Sequence, residues 1–232
     1  MLNVICVKHG TKYTGLHVNR LYSMVKRHLT IPYRFVCFTE NSANIDPNVQ
    51  IIKLPTELPI SGWWWKTYIF NKDHFHAGDI QLYFDLDMVI IDNIDKLYQY
   101  MPGHFIGLQN LGRVFNKPDC LGSAVLRWSG NSYSRIWDKF IENPSVALQY
   151  PGGDQDWIWK HCNKQIKFFP KEWIMSYKWE VRNMSELIRF ENRWVFKNTR
   201  DPEIHKDTAV LAFHGTPDME DVKDKIIVEN WQ

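Results

Sequence analysis

Apolar residues recur along this chain at two spacings, and the two alternate. Residues 2–7, Leu-Asn-Val-Ile-Cys-Val, are a short apolar run of the kind a buried strand shows. After the loop of residues 8–14, Leu21, Val25 and Leu29, with Val18 and Tyr22 beside them, fall on one helical face. That spacing predicts a helix from about residue 15 to 29, closed before Pro32. Residues 33–39 and 49–54 read as second and third strands. Strand, helix and strand with short connections predict a right-handed βαβ unit in a mostly parallel sheet. Ligands of such sheets bind beyond the carboxyl ends of the strands, which puts residues 8–13, Thr39 and Glu40 at the rim of one crevice.

The chain is organised around residues 82–91, Leu-Tyr-Phe-Asp-Leu-Asp-Met-Val-Ile-Ile, a hydrophobic run with two carboxylates inside it. Gly78-Asp79 precedes it and Asp92-Asn93 follows, so it reads as one buried strand leading into a turn. Extended chain would put Gln81, Tyr83, Asp85 and Asp87 on one face and Leu82, Phe84, Leu86 and Met88 on the other. Two like charges two residues apart repel, and burying either one alone costs several kcal/mol or a large pKa shift. A divalent cation is the simplest counterweight; the plainer alternative is a strand end whose acids cap the next turn.

Elsewhere the pattern predicts a helix from Ser61 to about Phe75 that opens on Trp63-Trp64-Trp65-Lys66. Three adjacent Trp cannot all face one core, so at least one is expected to border a surface or cleft, with Lys66 pointing into it. A short helix is expected at 94–98, strands at 105–108 and 123–128, and a helix at 132–141. Gly152-Gly153-Asp154-Gln155-Asp156 then opens a helix whose acids suit its positive end, and taken alone they read as a cap. A strand is expected at 166–169, residues 171–207 carry no clear period, and a last strand at 208–213 delivers His214-Gly215 into a turn.

Composition narrows the classes. The chain has 232 residues, 44% hydrophobic and 23% charged, with a net charge of +2 spread evenly, so no basic field points to nucleic acid. Its 11 Trp, 10 Tyr and 13 Phe fill a core or stack on sugars and bases. Cys6, Cys37, Cys120 and Cys162 lack metal-site spacing and read as buried free thiols in a reducing compartment. No basic-then-apolar leader opens the chain and no apolar run approaches the ~20 residues that span a bilayer, so a cytoplasmic setting, bacterial or viral, is expected. The absence of repeats or linkers argues for one domain over residues 1–232.

Asp85-Leu86-Asp87, Asp154-Gln155-Asp156 and Phe213-His214-Gly215, in that order behind a βαβ unit, resemble the DxD, DQD and late-histidine motifs of GT-A-fold nucleotide-sugar glycosyltransferases, nearest the glycogenin-like and bacterial galactosyltransferase-like group. The resemblance implies one Rossmann-like α/β domain with a mostly parallel sheet flanked by helices. It implies that Asp85, Asp87 and His214 hold Mn²⁺ or Mg²⁺ against the diphosphate of a UDP-sugar. Oxygen ligands suit either ion, and an imidazole tilts the preference towards Mn²⁺. It further implies that the donor lies among Lys8, His9, Gly10, Tyr13, Thr39, Lys66, Phe84, Leu86 and Gly215, with Glu40 nearby and Tyr13 as a stacking ring for uridine. Asp154 and Gln155 are then the residues that act at the donor sugar. The implied reaction is transfer of glucose or galactose to an unknown hydroxyl acceptor, with retention. One departure stands out: Thr216-Pro217-Asp218 follows His214-Gly215 where related chains often carry a phosphate-gripping Lys, which leaves Lys178, Arg182 and Lys206 as candidates.

Two rivals share some of these features. A phosphatase of the haloacid-dehalogenase type also places DxD after a strand, but wants a small turn directly after the second Asp, where Met88-Val89-Ile90 continues apolar. A carbohydrate-binding module would explain the Trp content, but such modules are commonly all-β.

Overall fold

The computed structural model describes residues 1–111, 121–162, 165–184, 187–190, 193–196 and 201–232, with the backbone alone for 187–190 and 193–196. Cys120 lies outside the described residues, whereas Cys6, Cys37 and Cys162 are buried free thiols.

The chain opens β1 (Leu2–Lys8), α1 (Gly15–His28), β2 (Tyr33–Thr39), β3 (Gln50–Lys53), with a 3₁₀ helix over Gly62–Phe70 before β4 (Ile80–Phe84). Next come β5 (Met88–Ile90), α2 (Asp95–Gln99), β6 (Ile106–Gln109), β7 (Leu121–Ser129), α3 (Arg135–Glu142), α4 (Pro144–Ala147) and α5 (Asp154–His161). The chain finishes with β8 (Lys167–Phe168), β9 (Ile174–Ser176), a wide π-helical turn over Tyr177–Val181, β10 (Leu187–Phe190), β11 (Arg193–Phe196), β12 (Val210–Ala212) and α6 (Lys225–Asn230).

Seven strands form the main sheet in the order β3-β2-β1-β4-β7-β6-β8. β1 pairs in parallel with both β2 and β4, β2 with β3, and β6 with β8, while β7 runs against β4 and β6. The sheet is therefore mostly parallel, as expected. Alternation along β1 explains why it is covered on both faces. Leu2, Val4 and Cys6 join one core with Val18, Leu21, Met24 and Val25 of α1, and Ile5 and Val7 join another with Trp64, Trp65 and Ile69. Each such side chain, taken from water, contributes about 1.5–3 kcal/mol. Lys167–Phe168, Ile106–Gln109 and Leu121–Ser129 lie close to the strands expected there, and helix α3 begins three residues later than expected.

Residues 82–91 correct the expectation of one strand. They form two strands in different sheets: β4 in the main sheet, and β5 in a three-stranded sheet of order β5-β12-β9. The backbone bonds show how the switch is made. Asp85 N–H still donates to Ala124 O of β7 at 2.8 Å, while Asp87 O accepts from Phe213 N–H at 2.8 Å, just past β12. Asp85-Leu86-Asp87 is the joint between two sheets, and the same Asp87–Phe213 bond brings His214 alongside it.

The expected helix through Phe75 is shorter, a 3₁₀ segment ending at Phe70. With three residues per turn, Trp63, Trp64 and Trp65 point in three directions. Trp64 and Trp65 are buried, at 5% and 6% exposure, and Trp63 is 62% exposed. The region 171–207, for which the pattern predicts little, contributes β9 to the sheet that carries β12, with the π-helical turn directly after it.

Candidate functional site

Among the described residues, three adjoining cavities lie along the Asp85-Leu86-Asp87 joint. The first, of about 290 Å³, is lined by His9, Lys12, Tyr13, Trp63, Lys66, Tyr83 and the joint itself. The second, of about 340 Å³, is bounded by Trp63, Lys66, Asp85, Ser123, Asp154, Gln155 and His214 among others. The third, of about 200 Å³, brings Asp85, Asp87, Gln155 and His214 together with Asn110 and Leu111. The two acidic motifs and the late His, far apart in sequence, thus share walls, as ligand sites do when a few polar groups converge on a cleft.

A buried ion network lies at the centre. Lys66 Nζ is 3.0 Å from Asp85 Oδ1, 3.2 Å from Asp154 Oδ2 and 3.0 Å from Ser123 Oγ. Ser123 Oγ donates to the same Asp154 oxygen at 2.6 Å, and the Tyr83 hydroxyl donates to Asp85 Oδ1. Burial opposes the Lys66 ammonium, but Asp154 first and Asp85 second outweigh it and hold its pKa above the usual value. Burial also raises Asp85, with Lys66 and Tyr83 pulling the other way. Lys66 lines both larger cavities, in keeping with the expectation that it points into a cleft, and its charge is paired with two carboxylates there.

Asp87 has the opposite character. Its Oδ2 accepts a long bond of 3.3 Å from the Tyr13 hydroxyl, and its Oδ1 is buried without a partner among the described residues. Burial, and then the like charge of Asp85, push its pKa up to about 7. The His214 Nε2 is 2.6 Å from Ser176 Oγ, and burial followed by the nearby Lys178 lowers its pKa to about 4, leaving a neutral imidazole. Among the described residues no three His, Cys, Asp or Glu side chains are already gathered as ion ligands. In chemistry the set nonetheless fits a divalent cation: two carboxylates, a neutral imidazole on the same cavity wall and an orphaned buried oxygen.

The other expected residues divide clearly. His9, Tyr13 and Leu86 line the first cavity, and Gln155 lines the second and third. Gly10 takes φ +62° and donates its N–H to Glu40 Oε1 at 2.7 Å, so the two rim loops are bonded to each other. Lys8, Thr39 and Phe84 correct the expectation that they face a ligand. Lys8 Nζ and Thr39 Oγ1 are buried and both donate to the Asn41 carbonyl at 3.0 Å, and Phe84 packs in the core behind the sheet. Tyr13 is tied through its hydroxyl to Asp87, with Lys12 over its ring. Asp156 turns back to accept the Gly152 N–H at 2.9 Å, fixing the loop before α5 and leaving Asp154 and Gln155 to face the cavities.

Of the three basic candidates near the late His, Lys178 is the one at the turn. Its Nζ donates to the His214 carbonyl and lies 3.3 Å from where a Cβ on Gly215 would stand. Arg182 pairs with Asp224 at 3.3 Å, and Lys206 is exposed. Sequence patterns missed Ser123 and Ser176, which hold Asp154 and His214. A serine inside a strand carries no local sign of its partner, whereas Tyr83 could have been found, two residues before Asp85 on the same strand face.

Gly153 shapes this wall. Its φ is +65°, and a Cβ placed on it would lie 2.6 Å from Trp63 Nε1. Gly153→Ala should therefore destabilise the protein by at least ~1–2 kcal/mol from the left-handed backbone alone. Chemical denaturation is the check, and an alanine variant as stable as the parent would remove the close packing of Trp63 on this loop.

No family model matches the sequence, and no curated protein matches it. Solved structures do. The galactosyltransferase LgtC in complex with donor and acceptor sugar analogs superposes with a TM-score of 0.63 at 13% identity, over 98% of this chain and 96% of that one. The bifunctional glycosyltransferase WbbM gives 0.65 at 14% identity, over 99% of this chain and 49% of that one. The glycosyltransferase GlyE of Streptococcus pneumoniae TIGR4 gives 0.56 at 11% identity, over 78% of this chain and 48% of that one. At such identities the likeness is one of fold: the chain has the GT-A-type α/β architecture of these glycosyltransferases, not that of an all-β module. No helix among the described residues is long and apolar enough to cross a membrane.

Proposed function

We propose that the protein is a glycosyltransferase that moves a hexose, glucose or galactose, from a UDP-sugar to a hydroxyl acceptor. The observation that carries this reading is the convergence of Asp85, Asp87, Asp154, Gln155 and His214 on adjoining cavities in a fold shared with glycosyltransferases. Asp85, Asp87 and His214 would hold Mn²⁺ or Mg²⁺, which when bound supplies Lewis-acid neutralisation of the departing diphosphate.

The chain's own residues do the rest. The first cavity, with His9, Lys12 and Tyr13, takes the nucleotide. Lys178, at the His214-Gly215 turn, takes the part of the phosphate-binding cation missing after that turn. As the bond from the sugar's C1 to the diphosphate oxygen breaks, the electron pair leaves with UDP and positive charge spreads over the ring. Asp154 and Gln155, on the wall of the second cavity, stabilise that charge and orient the ring, and Lys66 and Ser123 hold the Asp154 carboxylate in place. Transfer with retention follows from the group this chain resembles.

A thermal-shift and turnover series tests the reading. UDP with Mn²⁺ should raise the melting temperature, by the equivalent of about 2.7 kcal/mol at a ligand concentration 100 times the dissociation constant. UDP-glucose or UDP-galactose should release UDP. Asp154→Asn should lower kcat by about tenfold or more while leaving UDP affinity unchanged, because UDP lacks the sugar. A protein that neither binds UDP with Mn²⁺ nor turns over either donor is not this enzyme.

A further inference from the structure

Trp63 is the aromatic side chain of this site whose role remains unassigned. Its neighbours Trp64 and Trp65 are buried in the core, while Trp63 is 62% exposed. Its indole edge is set against Gly153, where any side chain would collide with it. That packing fixes the ring on the loop that introduces Asp154 and Gln155. The residue lines both larger cavities, standing between the nucleotide side, with His9 and Tyr13, and the side with Asp154, Gln155 and His214. An anchored, solvent-facing indole beside a wall of hydrogen-bonding groups matches one ligand shape well. A pyranose ring has a face of C–H groups that packs on an aromatic plane and a rim of hydroxyls that need donors and acceptors.

We propose that Trp63 is a stacking platform for a pyranose ring, holding the sugar's C–H face while Asp154 and Gln155 meet its hydroxyls. The proposal rests on the glycosyl-transfer reading only for which sugar arrives there, that of the donor or that of a carbohydrate acceptor. The alternative occupant of an exposed indole at the nucleotide cavity is the base itself, and the experiment separates it.

Saturation-transfer NMR with methyl β-D-galactopyranoside and methyl α-D-glucopyranoside should show transfer to the ring C–H protons of at least one glycoside in the wild-type protein. Trp63→Ala should reduce that signal about fivefold or more, and Trp63→Phe, which keeps a stacking face, should retain most of it. Melting curves of both variants should match wild type, since the side chain is mostly in solvent. In calorimetric titrations with Mn²⁺, UDP should bind Trp63→Ala as it binds wild type. If UDP-glucose or UDP-galactose loses affinity while UDP does not, the donor's sugar lies on Trp63. If all three bind unchanged while the glycoside signal is lost, the acceptor's sugar does. An absent wild-type glycoside signal, an equal signal in Trp63→Ala, or a matching loss of affinity for UDP itself overturns the proposal. Wild-type protein that binds glycosides through Trp63 but no UDP ligand would overturn the transferase reading and leave the platform standing.

Discussion

Replacing Lys66 with Met should lower the melting temperature by about 6–20 °C, the equivalent of ~3–5 kcal/mol in a chain of this size. The methionine nearly reproduces the shape of the lysine stem, so the loss comes from charge. Lys66 Nζ lies within 3.0–3.2 Å of both Asp85 and Asp154, and the Lys66 and Asp154 side chains are each only 8% exposed. Without the ammonium, two carboxylates are left facing each other, with Tyr83 and Ser123 the remaining side-chain donors to them among the described residues. Removing one partner of a buried ion set costs more than the set itself is worth, because the remaining charge keeps its desolvation penalty. Adding Asp154→Asn to Lys66→Met should therefore recover part of the loss. A Lys66→Met protein melting within about 2 °C of the parent would show that the network contributes nothing to stability.

Asp87→Ala should separate activity from stability in the opposite way. UDP release from a UDP-sugar should fall by about 100-fold or more, a loss of about 2.7 kcal/mol of transition-state stabilisation. The metal-free melting temperature should stay level or rise. The wild-type carboxylate has a buried oxygen with no partner among the described residues and a like charge nearby, so its deletion removes an unfavourable burial and one long bond from Tyr13. Mn²⁺ should raise the melting temperature of the wild type and leave the variant unmoved, a readout independent of turnover. An unstable variant, or one that still answers to Mn²⁺, would assign Asp87 to the framework.

How much of this was legible in the sequence depends on how local each signal is. The first strand, its helix and the second strand follow from spacing alone, because each buries a regular face against its immediate neighbours. None of the three motifs is legible as chemistry by itself; their order and spacing together carry the resemblance, and they do share cavity walls. The run at residues 82–91 misled because its apolar pattern is continuous while its hydrogen-bond partners change from β7 to β12, and no residue within the run marks the change. The partners of Lys66 were unreadable for a related reason: a lysine after three tryptophans carries no sign of the distant Asp154 carboxylate that pairs with it. Residues 171–207 were unreadable because their aromatic and charged side chains follow no period, and the backbone there winds into a π-helical turn.

The joint at Asp85-Leu86-Asp87 also limits how this chain can change in length. The residues on either side belong to two separately hydrogen-bonded frames, tied by Asp85 to Ala124 and by Asp87 to Phe213. An extra residue between the two carboxylates would have to be absorbed by one frame sliding along its neighbours. A slip of one position turns a strand over and would present Met88 and Ile90 to the opposite face. The loop between β2 and β3 has no such duty, and lengthening it costs only slowly growing closure entropy. Insertions and deletions can therefore accumulate around this site, while the three-residue spacing through its middle stays fixed.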